Sequence, residues 1–154
     1  MYYKDKIKSL ERLFGSNDIV LELQTLVVGR ARYPIIDDVV ILSKPDQYTD
    51  FVRRRIQSEI PEIEDDAGGS ADRLGRSQEF VEEIQFTFGE EWSTYDDILV
   101  EHEKEFLQYF DLINLTALHD LCVCDLGCGN GRWSYYLKGT CKEIVLVDFS
   151  DAIF

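Results

Sequence analysis

Basic residues are scarce in this chain of 154 residues. Sixteen Lys and Arg face thirty Asp and Glu, a formal charge of −14. A bare DNA- or RNA-binding module needs a basic surface to neutralise phosphates, so no nucleic-acid partner is expected. The same balance disfavours anionic membranes, and no apolar run approaches the roughly 20 residues that cross a bilayer. Met1-Tyr2-Tyr3-Lys4-Asp5-Lys6 has no apolar core behind it and does not read as a secretory signal. Cysteine is absent before position 122. Cys122, Cys124, Cys128 and Cys141 crowd into the last third of the chain, whereas a disulfide framework would spread them to staple separate loops. The spacing C-x2-C with a second pair or a His is missing, so no metal is expected. Small buried thiols and a cytoplasmic location are the expectation.

What is present is unevenly distributed. Residues 1–78 hold fourteen acids and twelve bases, and residues 79–154 hold sixteen acids and four bases. Glu62-Ile63-Glu64-Asp65-Asp66 is acidic, and Ala67-Gly68-Gly69-Ser70 after it has no apolar period. That stretch reads as a solvated linker. The expected organisation is a small α+β lobe at 1–60, a linker at 61–78, and a second domain at 79–154.

In the first lobe Ile19, Leu21, Leu23 and Leu26 to Val28 suggest strand. Arg32 to Ile36 and Val39 to Leu42 suggest two short strands around Asp37-Asp38. Ser43 to Asp46 is expected to cap a helix with Pro45 in its first turn. Tyr48, Phe51, Val52, Ile56 and Ile60 recur at helical spacing up to Pro61. Arg53-Arg54-Arg55 on that helix reads as a solvated face. In the second domain Phe86, Phe88, Trp92 and Tyr95 form an aromatic stretch. Asp96 to Phe110 carries an amphipathic period, with His102 read as a partly exposed surface residue.

The chemistry concentrates after Asp120. Leu121-Cys122-Val123-Cys124-Asp125-Leu126 is an apolar run holding an acid, the pattern of a strand buried on both faces of a parallel sheet. Gly127-Cys128-Gly129-Asn130-Gly131 follows, then a helix start from Trp133 to Leu137, closed by Gly139. Glu143 to Asp148 is a second apolar strand ending in an acid. Strand, glycine loop, helix and strand make one βαβ unit, so an α/β fold with an incomplete Rossmann-like doubly wound sheet is expected. Alternate glycines let a ligand approach without a Cβ in the way. A helix N-terminus offers free N–H groups, and an acid closing the next strand can accept from two ribose hydroxyls. Asp148 stands nineteen residues beyond Gly129, near the spacing of about 20 expected of a ribose acid. A dinucleotide fingerprint needs G-x-G-x-x-G, and its third glycine would fall at Arg132 or Ser134. A nicotinamide-dependent oxidoreductase is therefore disfavoured. Asp125, two residues before the first glycine, would repel a pyrophosphate and suits a cationic amino group.

Asp125-Leu126-Gly127-Cys128-Gly129-Asn130-Gly131-Arg132-Trp133-Ser134 resembles the first motif of class I methyltransferases that use S-adenosylmethionine. Val147-Asp148-Phe149-Ser150 resembles their second. The resemblance covers about residues 86–154. It implies S-adenosylmethionine as cofactor and a cofactor site of Asp125, Leu126, Gly127, Cys128, Gly129, Gly131, Asp148 and Phe149. The glycine loop would cradle the methionine portion, Asp148 would hold the ribose, and Phe149 would pack beside the adenine. Cys128 reads as a small spacer. Phe88-Gly89-Glu90-Glu91-Trp92-Ser93-Thr94-Tyr95 is similar to helices that cover the cofactor in one bacterial branch.

That branch often carries a small zinc-ribbon-like domain in front, and Tyr33-Pro34-Ile35-Ile36-Asp37-Asp38-Val39 is similar to its strand-turn-strand. Its cysteine pairs are absent here, and its usual turn glycine is Asp38. A metal-free relic or an unrelated lobe is expected. The family's sheet is larger than two strands, so the resemblance implies an N-terminal fragment, inactive alone, that needs a missing C-terminal half or a partner chain. The implied reaction is methyl transfer to a small-molecule acceptor. No catalytic residue can be named. The competing expectation is a non-catalytic, truncated methyltransferase-like binding module that pairs with another chain.

Overall fold

The computed structural model describes residues 2–60 and 99–154. The expected linker at 61–78 and the aromatic block from Phe86 to Tyr95 lie outside the described residues. The chain divides into two compact units, Met1–Ala71 and Asp72–Phe154.

The N-terminal unit begins with a 3-10 turn, Tyr2–Lys6, that runs into helix α1, Ile7–Phe14. Gly15 ends the helix in the left-handed region (φ 59°), and its N–H donates to the Glu11 carbonyl. Four strands follow: β1 (Ile19–Glu22), β2 (Thr25–Val28), β3 (Ala31–Ile36) and β4 (Val39–Val40). They form one antiparallel sheet in sequential order, with Ile19 opposite Val28, Thr25 opposite Pro34 and Ile35 opposite Val40. Each connection is a two-residue turn, and such turns need positive φ to match the strand twist. Gly29 provides it at 60°; Leu23 at 39°, Asp37 at 47° and Asp38 at 63° provide it without being glycine. The Tyr3 hydroxyl donates to the carbonyl of Asp38 and ties the chain start to the β3–β4 turn.

Helix α2, Asp50–Glu59, is capped by Thr49, whose Oγ1 accepts from the Val52 N–H at 3.2 Å. Pro45 opens only a 3-10 turn, Pro45–Gln47, so the expected cap at Ser43 to Asp46 is displaced to Thr49. Strand alternation sends consecutive residues of β3 to different clusters. Ile35 joins Leu10 of α1 and Leu26, while Ile36 joins Ile41, Val52 and Ile56 of α2. Arg55 is no solvated bystander: it pairs with Asp37 at 2.6 Å and with Glu59, and its guanidinium lies over the Phe51 ring.

The C-terminal unit contains helix α3 (Val100–Tyr109), a 3-10 turn (Leu115–Leu118), strand β5 (Cys122–Leu126), helix α4 (Arg132–Tyr135) and strand β6 (Glu143–Val147). Strands β5 and β6 pair in parallel, with Cys122 opposite Glu143 and Leu126 opposite Val147. Phe106 is fully buried and packs against Phe110 and Tyr136, with ring centroids at 4.8 and 5.4 Å. The Tyr136 hydroxyl donates to the Leu99 carbonyl at 3.1 Å.

The architecture corrects the expected fold. The described residues hold a four-stranded antiparallel sheet and a separate two-stranded parallel sheet. Among the described residues the incomplete Rossmann-like doubly wound sheet, and with it the Rossmann-like methyltransferase architecture, does not form. A doubly wound sheet needs crossover helices on both faces of several parallel strands. Here one crossover, whose helix is a single turn of four residues, joins two strands. Strand β5 alternates exposed and half-buried instead of burying both faces. The cysteine expectation changes for the same reason: Cys122 and Cys124 are exposed, Cys141 is intermediate, and Cys128 is buried. Among the described residues no helix is long and apolar enough to cross a membrane.

Candidate functional site

The loop between β5 and α4 is pinned to the end of β6. The N–H groups of Gly127 and Cys128 both donate to the Val147 carbonyl, at 2.7 and 3.2 Å, and Gly131 N–H donates back to Cys128 at 2.9 Å. The path requires Gly127, Gly129 and Gly131 at φ of 80°, 54° and 78°, a region that costs other residues roughly 1–2 kcal/mol each. A Cβ on Gly127 would meet no described atom within 4 Å, so among the described residues the space beside the backbone there is open. The Asn130 side-chain carbonyl accepts from the Arg132 N–H at 3.2 Å and starts the helical turn.

Asp148, directly after β6, reaches back into the loop. Its Oδ2 accepts from the Gly129 N–H at 2.6 Å, and its Oδ1 accepts from the Ser150 N–H and Oγ at 2.7 and 2.6 Å. Partial burial alone would raise its pKa, but the hydrogen bonds from Ser150 and Gly129 outweigh that and hold it below the usual Asp value. Asp125, half-buried near the end of β5, accepts from the Ser134 Oγ at 2.7 Å. Burial first, then the charges of Asp148 and Asp125, push the Cys128 thiol up to about 11. A thiol held in its neutral form near pH 7 is a poor nucleophile.

The structure brings together Asp125, Gly127, Cys128, Gly129, Gly131 and Asp148. Leu126, next to the loop, is 77% exposed, and Phe149, next to Asp148, is 60% exposed. The helix expected to present its N-terminus is too short to carry a macrodipole, so the loop's own N–H groups are the available donors. No group of three His, Cys, Asp or Glu suited to a metal occurs among the described residues.

Sequence reasoning missed a second feature of this unit. Glu105, Gln108 and Tyr109 of α3 and Trp133 of α4 line an open cleft of about 400 Å³. The Tyr109 and Trp133 rings stack at 5.9 Å and 29°. His102 meets Trp133 edge-on at 6.4 Å, and its Nδ1 accepts from the Leu99 N–H at 3.1 Å. The positions 105, 108 and 109 lie on one helix face, a spacing present in the sequence; what the sequence lacks is any sign that Trp133 returns to it.

No protein-family model, no curated protein and no solved structure matches this chain.

Proposed function

We propose that the C-terminal unit is the cofactor-binding part of a methyltransferase that uses S-adenosylmethionine and serves a small-molecule acceptor. One observation carries this reading. Three alternate glycines, all in the left-handed region, form a loop flanked by one acid near the end of its own strand and another at the end of the paired strand. The donor set fits the cofactor. Asp125 can accept from a cationic amino group, the open space beside Gly127 admits a ligand against the backbone, and two carboxylates disfavour a pyrophosphate. When bound, the cofactor supplies an electrophilic methyl group on a sulfonium. The loop and the two acids orient it, and orientation is where such a site gains most of its rate.

One specific observation favours a second reading, a non-catalytic binding module built on the same loop. A carboxylate has about four lone-pair sites, and Asp148 already accepts three hydrogen bonds. Two ribose hydroxyls would need the bond from Gly129 to open. Calorimetric titration of S-adenosylmethionine into the full chain separates the two. Binding that Asp125→Asn and Asp148→Ala weaken supports the methyltransferase reading. Binding unchanged in both variants removes the site assignment, and no heat from the folded chain favours the module.

A further inference from the structure

The cleft on α3 and α4 has a definite chemical character. Among the described residues that line it, two are aromatic, one is a carboxylate, one is an amide, and none is cationic. Tyr109 and Trp133 stack as a pair, and Tyr109 is 79% exposed, so the pair meets solvent. His102 braces Trp133 from its edge, and the hydrogen bond from Leu99 fixes the imidazole in turn. Aromatic faces carry negative potential and attract cations that also have apolar substituents. Glu105 adds a carboxylate to the cleft. An anionic ligand would be repelled by each of these features, and a neutral apolar one would leave Glu105 unused.

We propose that this cleft binds an alkylated ammonium group and that the group belongs to the methyl acceptor. The second clause rests on the S-adenosylmethionine reading; the first does not. Trp133 stands two residues beyond Gly131, so the glycine loop and the cleft share the same short helix. Arg132 is the nearby competitor, since it and Glu105 both act on the Tyr136 hydroxyl.

Choline and its carbon isostere dimethylbutanol, in which a tert-butyl group replaces trimethylammonium, test the proposal on the full chain. The readout is the NMR shift of the Trp133 indole N–H. Choline should give a saturable shift with a dissociation constant on the order of 1 mM. The isostere, Glu105→Gln and Tyr109→Leu should each weaken it by about fivefold. Both substituted side chains are exposed, so the fold should survive, and an unchanged far-UV spectrum verifies that. No shift with choline, which is the outcome if Arg132 already answers Glu105, overturns the proposal. Equal responses to the two probes, or responses unchanged in both variants, overturn it as well. Displacement of choline by S-adenosylmethionine assigns the cleft to the cofactor and also overturns it. Choline binding in a chain that shows no heat with S-adenosylmethionine keeps the cation site and overturns the acceptor clause alone.

Discussion

Leu10, Leu26, Ile35, Ile36, Ile41, Val52 and Ile56 are buried in the N-terminal unit, while the described residues of the C-terminal unit bury only Phe106, Cys128 and Leu137 among their apolar side chains. Large apolar side chains stand exposed in both units, Leu23 at 83% in the first, and in the second Leu112 at 95% with Leu121, Leu126 and Leu146 in or beside the parallel pair. The contrast follows from how the strands are joined. Hairpins with two-residue turns place neighbouring strands side by side at once, and α1 and α2 pack on the sheet they produce. A parallel pair must spend its connection on a crossover, and its two strands have polar edges and apolar faces that two strands alone cannot cover.

The sharpest way to break that comparison is to delete core side chains on both sides of it. Phe106→Ala should cost about 3–5 kcal/mol, and Ile36→Ala about 2–5 kcal/mol, because each leaves a cavity where the side chain is fully enclosed. Leu126→Ala should change stability by less than about 0.5 kcal/mol. Urea unfolding followed by aromatic circular dichroism checks all three. A cost of several kcal/mol at Leu126 would mean that strand β5 is covered in solution and that the contrast between the units is false.

A smaller effect of opposite sign is expected at the tip of the β1–β2 turn. Leu23 is 83% exposed and held at φ 39°, a conformation Leu disfavours by roughly 1–2 kcal/mol and Asn tolerates. Leu23→Asn should therefore stabilise the N-terminal unit by about 1 kcal/mol, read as a raised urea midpoint with an unchanged slope. A lowered midpoint would show that the exposed Leu makes a contact worth more than its backbone strain.

Much of the local structure is legible in the sequence, and little of the global arrangement is. The turn at Asp37-Asp38, the helix through Val52 and Ile56, and the strands on either side of the glycine loop follow from period and turn chemistry. Helix α1 escapes notice because Ile7, Leu10 and Phe14 give only one short face, stabilised by Leu26 and Ile35 from distant strands. Leu23 reads as a strand residue because its apolar side chain hides a turn that is set by the pairing of Glu22 with Thr25. The number of strands in a sheet is not encoded in any one of them, so the doubly wound expectation had no local check. At the candidate site, the glycines and acids are visible as spacing. That Asp148 spends its lone pairs on Gly129 and Ser150 is a matter of geometry that spacing does not contain.

That geometry gives the smallest effect and the one most specific to the C-terminal unit. The folded Asp148 has a pKa below the ordinary value of 3.8, while the unfolded chain has about that value. A depressed carboxylate contributes stability that is present above the unfolded pKa and is lost as pH falls through the folded one. Unfolding measured from neutral pH down to the acid limb should therefore show a steeper loss below about pH 4 in the natural chain than in Asp148→Asn. The difference curve between the two isolates this carboxylate from all the others that protonate in the same range. Because the cause is hydrogen bonding from Gly129 and Ser150, the difference should persist in molar salt, where an exposed pair such as Arg32–Glu22 is screened. If salt abolishes it, attraction to screened positive charge holds the Asp148 carboxylate below its ordinary value, and the latch on the glycine loop does not.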